Sequence, residues 1–264
     1  MPRGLWNGTL SFGLVAVPVR LLSATRDQDI HFHQVDERTG ERIQVRRLCE
    51  ADGKEVPWEE IGHGYDLDGQ LVTLTDEELA AAAPERTHTI EIEQFVDLDA
   101  IDPAQFDHPY FLIPDSESGG ATRAYQLLRD AMVKSNQVAI GRVVIRSNEY
   151  LVAVRERDDL LSLTTLLYAD ELRDAAEIDA IPDEESYAAT RGEVTQVVKL
   201  IQAMTEDFDP DRYDDQHRMR LQALVDSKRK SGKVAAPEPA AGGKRTEVPD
   251  LMAALKQSLE RAGK

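Results

Sequence analysis

Three short apolar runs in the middle of the chain constrain its fold more than any other feature. They cover residues 139–145, 150–154 and 160–167. The first connection is built around Ser147, Asn148 and Glu149, and the second covers residues 155–159. Short polar connections of this kind are typical of antiparallel hairpins. The sequence therefore predicts a region of consecutive antiparallel strands.

Other strand and turn signals precede these runs. Period-two alternation predicts two more strands, one carrying Val15, Val17, Val19 and Leu21 and the other carrying Ile90, Ile92 and Val96. Pro18 indicates that the first of these is an edge strand or carries a bulge, and Gln94 interrupts the second. Asp68-Gly69 predicts a hairpin turn. The first two thirds of the chain is therefore expected to be rich in β-structure.

Helical signals occur at four places. Thr75 and Glu78 predict a capping box before a short helix that stops at Pro84, and residues 121–134 predict an amphipathic helix. From about residue 188 apolar residues recur at helical spacing, namely Val194, Val197, Val198, Ile201 and Met204. A further helix is predicted from Asp209-Pro210 to Gly232, with acidic residues early and basic residues late, as the helix dipole favours.

The last part of the chain has a different composition. Residues 233–247 are rich in Pro, Ala and Gly and predict a linker. Beyond it, Val248, Leu251, Met252, Leu255 and Leu259 form one apolar stripe of a short helix. A solitary amphipathic helix of this length is marginally stable. We therefore expect it to dock either on its own core or on a partner.

The charge balance is strongly acidic. The 264 residues carry 31 Lys and Arg against 49 Asp and Glu, a net charge of −18, which as a bulk property argues against nucleic-acid and anionic-lipid binding. However, 29 of the 49 acidic residues fall in residues 48–119 and 158–187, and basic islands alternate with these two blocks. The distribution is consistent either with mixed solvated surface or with one positive face on an acidic exterior.

Several motifs that the sequence lacks bear on the cellular compartment of the protein and on its capacity for catalysis or metal binding. No apolar run is long enough to span a membrane, no signal peptide is recognisable, and the single Cys49 fits a reducing cytosol. Nucleotide-binding glycine loops and a nucleophile elbow are missing, and acidic neighbours make Cys49 a poor nucleophile. His31, His33 and His63 lie near Cys49 and Asp52 without a common zinc spacing, so no metal or other cofactor is expected.

Rows of arginine are the most informative polar feature. Arg42, Arg46 and Arg47 crowd a predicted strand, while Arg142 with Arg146 and Arg155 with Arg157 are spaced to share a strand face. Such rows can follow a phosphate backbone without reading bases, and arginine suits bidentate phosphate contacts. Salt bridges with the abundant carboxylates explain the same residues equally well.

A family resemblance decides between these alternatives. The segments LWNGTLSFGLVAVPVRLLSAT and DIHFHQVDERTGERI closely resemble the bacterial Ku family of DNA-end-binding proteins. Further matches occur in the same order along nearly the whole chain: EVPWEEIGHGY, LTDEEL, EIEQFVDLDAIDP, FDHPYFLIPD, LLYADELRD, FDPDRYDD and VPDLMAALKQSLE. The resemblance implies a mainly β fold with α-helices (α+β), in which a β-barrel core and a strand-rich arch form a dimeric ring, followed by C-terminal helices.

The resemblance also implies a function and a domain division. Two subunits would encircle linear double-stranded DNA ends in non-homologous end joining and recruit the ATP-dependent end-joining ligase, without catalysis, cofactor or membrane. The protein would be cytoplasmic, and associated with the nucleoid when bound to breaks. We expect a core with its arch over residues 1–187, a helical part over 188–232, the linker over 233–247 and the terminal helix over 248–264.

Site residues carried over from the resemblance are arginines and one helix. The expected DNA contacts are Arg42, Arg46 and Arg47, followed by Arg20, Arg123, Arg142, Arg146 and Arg155. The expected ligase contact is the terminal helix through Val248, Leu251, Leu255 and Leu259. The chain has Cys49-Glu50-Ala51-Asp52-Gly53 where many relatives have CxxCG, and the sequence ends at Arg261-Ala262-Gly263-Lys264 where many relatives have a lysine-rich tail. A protein-only interaction scaffold and a metal-dependent nuclease are the alternative functions.

Overall fold

The computed structural model describes residues 4–84, 87–115, 119–178 and 189–231. The strands are β1 Trp6–Phe12, β2 Val15–Ser23, β3 His63–Leu67, β4 Gln70–Leu74, β5 Thr89–Asp97, β6 Phe106–Pro114, β7 Gln137–Ile145, β8 Asn148–Arg157 and β9 Leu160–Leu166. The α-helices are α1 Asp76–Ala82, α2 Gly119–Ser135, α3 Arg191–Met204 and α4 Gln216–Ser231. None of the helices in these ranges is long and apolar enough to cross a bilayer.

Seven of the strands close into a barrel in the order β1-β2-β6-β9-β8-β7-β5. The three apolar runs became β7, β8 and β9, which pair antiparallel as predicted. The barrel closes through a short parallel pairing of β1 with β5, in which Leu10 lies opposite Ile90. The predicted β-barrel core with additional helices is therefore confirmed.

Alternate residues of each barrel strand point inward and form the core. The largest fully buried apolar side chains come from all seven barrel strands: Leu10, Val17, Val19, Leu21, Ile90, Leu112, Val143, Val152, Val154, Leu161 and Leu163. A smaller apolar cluster lies on the other face of the strands and includes Ile101, Val138, Ile140, Ala153 and Leu166. Burial of this area is the main favourable contribution to folding.

Helix α2 fills one end of the barrel. Its Tyr125, Leu128 and Met132 are buried and pack in the barrel core, as the amphipathic pattern predicted. The Tyr125 hydroxyl donates to the carbonyl of Leu112 and accepts from the amide of Leu161. The helix is therefore joined to β6 and β9 by hydrogen bonds as well as by apolar contact.

Local turn and cap signals were accurate. Asp68 and Gly69 both have positive φ, 52° and 84°, as the two-residue turn of the β3–β4 hairpin requires. Thr75 and Glu78 form the predicted reciprocal capping box at the start of α1. Each signal depends only on neighbouring residues, which is why it can be recognised without the fold.

Two interruptions in the strand pattern have clear structural counterparts. Pro18 is paired with β1, but the register of β2 with β6 begins only at Val19, so Pro18 occupies a position paired on one side. In β5 the register with β7 shifts between Ile92 and Gln94, which is the predicted interruption. Opposite this bulge the backbones approach so closely that a Cβ on Gly141 would lie 2.1 Å from the carbonyl oxygen of Glu91.

Residues 24–88 leave the barrel after β2 and return at β5; we call this segment the excursion. It contains the β3–β4 hairpin, α1 and two isolated bridges, Val35 with Arg42 and Leu48 with Glu55. The predicted strand through Arg42, Arg46 and Arg47 is wrong, because pairing in this part is limited to these single bridges.

The described residues divide into two compact units. One unit comprises residues 4–27 and 34–175, and the other comprises residues 28–33 and 176–231. The expected boundary between residues 187 and 188 stays a prediction, and the linker 233–247 and the terminal helix 248–264 lie outside the described residues.

The second unit contains α3 and α4. Thr190 and Glu193 form a capping box at the start of α3, and hydrogen bonds from Thr190 lower the pKa of Glu193. The helix predicted from Asp209 is interrupted: residues Pro210–Arg212 form one short 3-10 turn, and α4 begins at Gln216. The reason is local, because the Asp215 carboxylate accepts from the Arg218 amide and so caps the helix later than expected.

Candidate nucleic-acid interface

The eight arginines predicted to contact DNA all lie in the first unit, in two groups. Arg42, Arg46 and Arg47 belong to the excursion, whereas the other five, Arg20, Arg123, Arg142, Arg146 and Arg155, lie on barrel strands, on α2 or in a hairpin turn. The two groups differ in what holds their side chains.

In the excursion, a compact turn fixes Arg46 and Arg47. The bridge between Leu48 and Glu55 and the hydrogen bond from the Val56 amide to the Arg47 carbonyl bring the two ends of residues 47–56 together. Arg46 forms a 3.2 Å ion pair with Glu55, and both side chains are more than half exposed. An exposed pair of this kind stabilises by about 0–1 kcal/mol, so a phosphate can replace the carboxylate.

Arg47 is held by an aromatic ring. Its guanidinium lies 4.6 Å from the centroid of the Trp58 ring, and Trp58 is 69% exposed. A cation over an indole face keeps its hydrogen-bond donors free at the guanidinium edge. Trp58 was not among the predicted site residues; a tryptophan directly before Glu59 and Glu60 was the available signal.

The tip of the same turn carries the residues that replace the CxxCG pair of many relatives. The Asp52 carboxylate lies 3.0 Å from the Lys54 ammonium, and hydrogen bonds from Lys54 lower the pKa of Asp52. Gly53 has a φ of 68° and donates its amide to the Cys49 carbonyl. Within the described ranges no three His, Cys, Asp or Glu side chains cluster closely enough to hold a metal ion.

On the barrel, Arg142 is already neutralised by carboxylates. It lies on the outer face of β7, because Ala139 and Val143 on the same strand point into the core. Its guanidinium is 3.2 Å from Glu93 and 3.8 Å from Glu149 on the two neighbouring strands. Sequence reasoning left salt bridges open as an alternative, and for this residue they are present.

Arg146 does not share the strand face of Arg142, so this prediction is wrong. β7 ends at Ile145, which pairs with Asn148, and Arg146 therefore lies in the two-residue turn between β7 and β8. Its φ of 61° belongs to the left-handed region, which extended strands do not use. Period-two counting fails at this position because the strand has already ended.

Arg20, Arg123 and Arg155 form no ion pair with any residue that the structure describes. No carboxylate of the described residues lies within 4.0 Å of their guanidinium groups. Arg20 is half-buried on the outer face of β2, and its Nε is buried without a hydrogen-bond partner in the described part of the chain. Arg155 borders a depression of about 420 Å³ with Leu98, Asp99 and Phe106 among its lining residues.

Comparison with known proteins identifies the family. The family model of the Ku70/Ku80 beta-barrel domain matches residues 11–196 of this chain. The chain belongs to the Ku family. The match begins within β1 and covers the rest of the barrel and the whole excursion, so the resemblance seen in the sequence is confirmed.

Individual relatives match this chain over nearly its whole length. The non-homologous end joining protein Ku 1 of Saccharopolyspora erythraea is 39% identical over 264 residues, covering 99% of this chain and 79% of the relative. The non-homologous end joining protein Ku of Opitutus terrae is 38% identical over 265 residues, covering 99% of this chain and 92% of the relative. The non-homologous end joining protein Ku of Mycobacterium tuberculosis (strain H37Rv) is 35% identical over 273 residues, covering 99% of this chain and 96% of the relative.

Proposed function

We propose that this Ku-family chain binds the ends of double-stranded DNA without sequence preference, as a homodimeric ring, in non-homologous end joining. In this proposal it recruits the ATP-dependent end-joining ligase and catalyses no reaction itself. The observation that carries the proposal is the excursion from a closed barrel that presents Arg46 and Arg47 at the surface, in a chain whose relatives are named non-homologous end joining proteins.

The chemistry of the arginines supports contact with the DNA backbone. Arg47 rests on Trp58 and Arg46 on Glu55, so both guanidinium groups are oriented before a ligand arrives. Guanidinium groups bind phosphate oxygens in a bidentate manner, and phosphate contacts carry no sequence information. The proposal therefore includes binding at any sequence.

The surface of the excursion supports pairing of two copies. It exposes large apolar side chains, among them Val35, Ile43, Val45, Leu48, Trp58, Tyr65, Leu67 and Leu71. Large apolar side chains left exposed along one segment support a protein interface there. A compact chain of this length has a radius of gyration of roughly 18 Å, too small to enclose a duplex and keep a core, and a symmetric pair is the simplest closed arrangement.

Ligase recruitment is assigned to the terminal helix. Val248, Leu251, Leu255 and Leu259 form the apolar stripe that the sequence predicts for this helix, and an amphipathic helix can bind in an apolar groove of a partner. Deletion of residues 248–264 is expected to abolish co-purification of the ligase without weakening DNA-end binding.

Threading onto ends is tested by comparing topologies of one DNA sequence. The purified protein is titrated against a linear duplex and against the same duplex closed into a circle, with gel shift and sedimentation as readouts. The proposal expects binding to the linear form, no binding to the closed circle, and recovery of binding once the circle is cut. Equal affinity for both would remove threading, and no salt-dependent binding to either would favour a protein-only scaffold instead.

Cleavage is tested in the same reactions. End-labelled duplex incubated with the protein and magnesium or manganese is expected to remain intact. Shortened products that depend on the metal would favour a nuclease and overturn the non-catalytic part of the proposal.

A further inference from the structure

The two ends of the barrel differ. Helix α2 fills one end, whereas the other opens into a cavity of about 200 Å³. Its lining residues include Trp6, Leu21, Tyr110, Ile145, Arg146 and Tyr150. We call it the barrel-end pocket. An apolar cavity of roughly 150 Å³ holds a benzene molecule, so this volume accommodates one planar ring system.

The aromatic walls of the barrel-end pocket are fixed in place. The Trp6 indole donates from Nε1 to the Val144 carbonyl at 3.0 Å. Its ring also lies against Gly8, where an added Cβ would be 2.3 Å from a ring carbon. Tyr110 packs against the His108 ring at a centroid distance of 4.8 Å. Rigid aromatic walls favour stacking of a flat ligand, because little conformational entropy is lost on binding.

The pocket also offers unused polar groups. Neither the Tyr110 nor the Tyr150 hydroxyl forms a hydrogen bond with any residue that the structure describes. Both hydroxyls remain exposed to the cavity, so each can donate to or accept from a ligand. Burial raises the pKa of Tyr110, so its hydroxyl keeps its proton at neutral pH.

Arg146 places a cation at the rim of the barrel-end pocket. Arg146 lines the barrel-end pocket and also a neighbouring depression of about 380 Å³, whose other walls include Asn7 and His88. No carboxylate in the described ranges lies within 4.0 Å of the Arg146 guanidinium. In a chain of net charge −18, a cation without a carboxylate partner beside a cavity is available to an anionic ligand.

We propose that the barrel-end pocket binds a nucleotide, with the base between Trp6, Tyr110 and Tyr150 and the phosphate on Arg146. The flat base matches the aromatic walls, and the adjacent depression leaves room for sugar and phosphate. The nucleotide can be a free mononucleotide or an unpaired terminal nucleotide of a DNA strand, because both have the same chemistry. The site does not depend on the proposed ring, since Arg42, Arg46 and Arg47 take no part in it.

The test uses Trp6 as the reporter. The chain has two tryptophans, so a W58F background leaves Trp6 as the only one. In that full-length background, deoxyadenosine monophosphate is expected to quench Trp6 emission saturably, and deoxyadenosine or inorganic phosphate alone to bind about tenfold more weakly. R146Q is expected to reduce affinity by about tenfold. R157Q is the matched control, because Arg157 pairs with Asp158 in the turn between β8 and β9 and does not line the pocket.

A second pair of ligands separates the two sources of the nucleotide. A hairpin duplex with one unpaired terminal nucleotide is compared with its blunt counterpart, and duplex binding itself is followed by anisotropy of a distant label. Quenching by the mononucleotide assigns a free nucleotide, and quenching by the overhang alone, lost in R146Q, assigns a strand end. Unchanged Trp6 emission with every ligand, or equal affinity of R146Q and the background, would overturn the proposal whatever the anisotropy shows.

Discussion

The Tyr125 hydroxyl lies 2.7 Å from the amide nitrogen of Leu161 and accepts its hydrogen bond. The same hydroxyl donates to the carbonyl of Leu112 at 2.7 Å, and Leu112 and Leu161 are register partners of β6 and β9. A phenol on α2 therefore replaces a direct ladder hydrogen bond between two barrel strands. Hydrogen bonds therefore join helix α2 to strands β6 and β9 at this point.

Removing this hydroxyl is expected to destabilise the fold. Y125F leaves the buried Leu161 amide and Leu112 carbonyl without their partner, at a cost of about 1–3 kcal/mol in the free energy of unfolding. Urea denaturation measures the change. Y65F is the control, because Tyr65 is 65% exposed and its hydroxyl is solvated. Equal free energies of unfolding for the two variants would show that the hydrogen bonds of the Tyr125 hydroxyl do not stabilise the fold.

The stability difference between wild type and Y125F is expected to depend on pH. Burial is the main cause that raises the pKa of Tyr125 above 10.0. A raised pKa means that the protonated hydroxyl is favoured in the folded state. The contribution of the protonated hydroxyl to stability is complete below the pKa of the unfolded state, which is about 10. This contribution is lost as the pH rises through the higher pKa of the folded state. Chemical denaturation at increasing alkaline pH should therefore show the two proteins converging; a constant difference would argue against it.

The close approach of β5 and β7 leaves no room for a side chain at Gly141. A methyl group at Gly141 would meet the Glu91 carbonyl oxygen, so G141A must push the two strands apart at the bulge. We expect a loss of about 1–3 kcal/mol in the free energy of unfolding, measured by denaturation. G120A is the matched control, since nothing lies within 4 Å of its added methyl group and alanine favours the helix that contains it.

Charge reversal in the excursion tests the main DNA contacts. R46E with R47E is expected to weaken binding to a linear duplex by roughly a hundredfold, because two phosphate contacts become repulsive. The double variant R157E with R212E makes the same charge change at residues that pair with carboxylates elsewhere, and serves as control. Circular dichroism should show both variants folded. Wild-type affinity in the first variant would mean that these arginines do not face DNA.

Salt dependence separates free arginines from neutralised ones. R47Q is expected to reduce the slope of log affinity against log salt concentration by about 0.9, the value for one lost phosphate contact. R142Q is expected to leave the slope nearly unchanged, because Glu93 and Glu149 already neutralise Arg142. Anisotropy titrations over a salt series measure both. Equal slopes for the two variants would show that the ion pairs of Arg142 break on binding.

Much of the barrel could be predicted because its signals are local. The connections between β7, β8 and β9, the Asp68-Gly69 turn and the Thr75 capping box each depend on a few adjacent residues. Barrel closure could not be predicted in the same way. The pairing of Leu10 with Ile90 joins residues far apart in sequence, and no local pattern specifies it.

The candidate site was predictable only as a set of residue types. Arginine-rich segments indicated phosphate contact, but the partner of each side chain depends on strand register. Glu93 and Glu149 reach Arg142 only because β5, β7 and β8 are neighbours in the barrel. Arg146 was misplaced since Arg-Ser is not a typical turn pair.

The parallel pairing of β1 with β5 has a consequence for how this fold can diversify. Because β1 lies between β2 and β5, the strands at which the excursion departs and returns are only two positions apart in the barrel, a lateral spacing of about 10 Å. Doubling the length of a loop with fixed ends costs only about 0.6 kcal/mol. The barrel is therefore expected to accept segments of different length and sequence between β2 and β5. A chimera carrying the excursion of another family member between Ser23 and Thr89 should still fold.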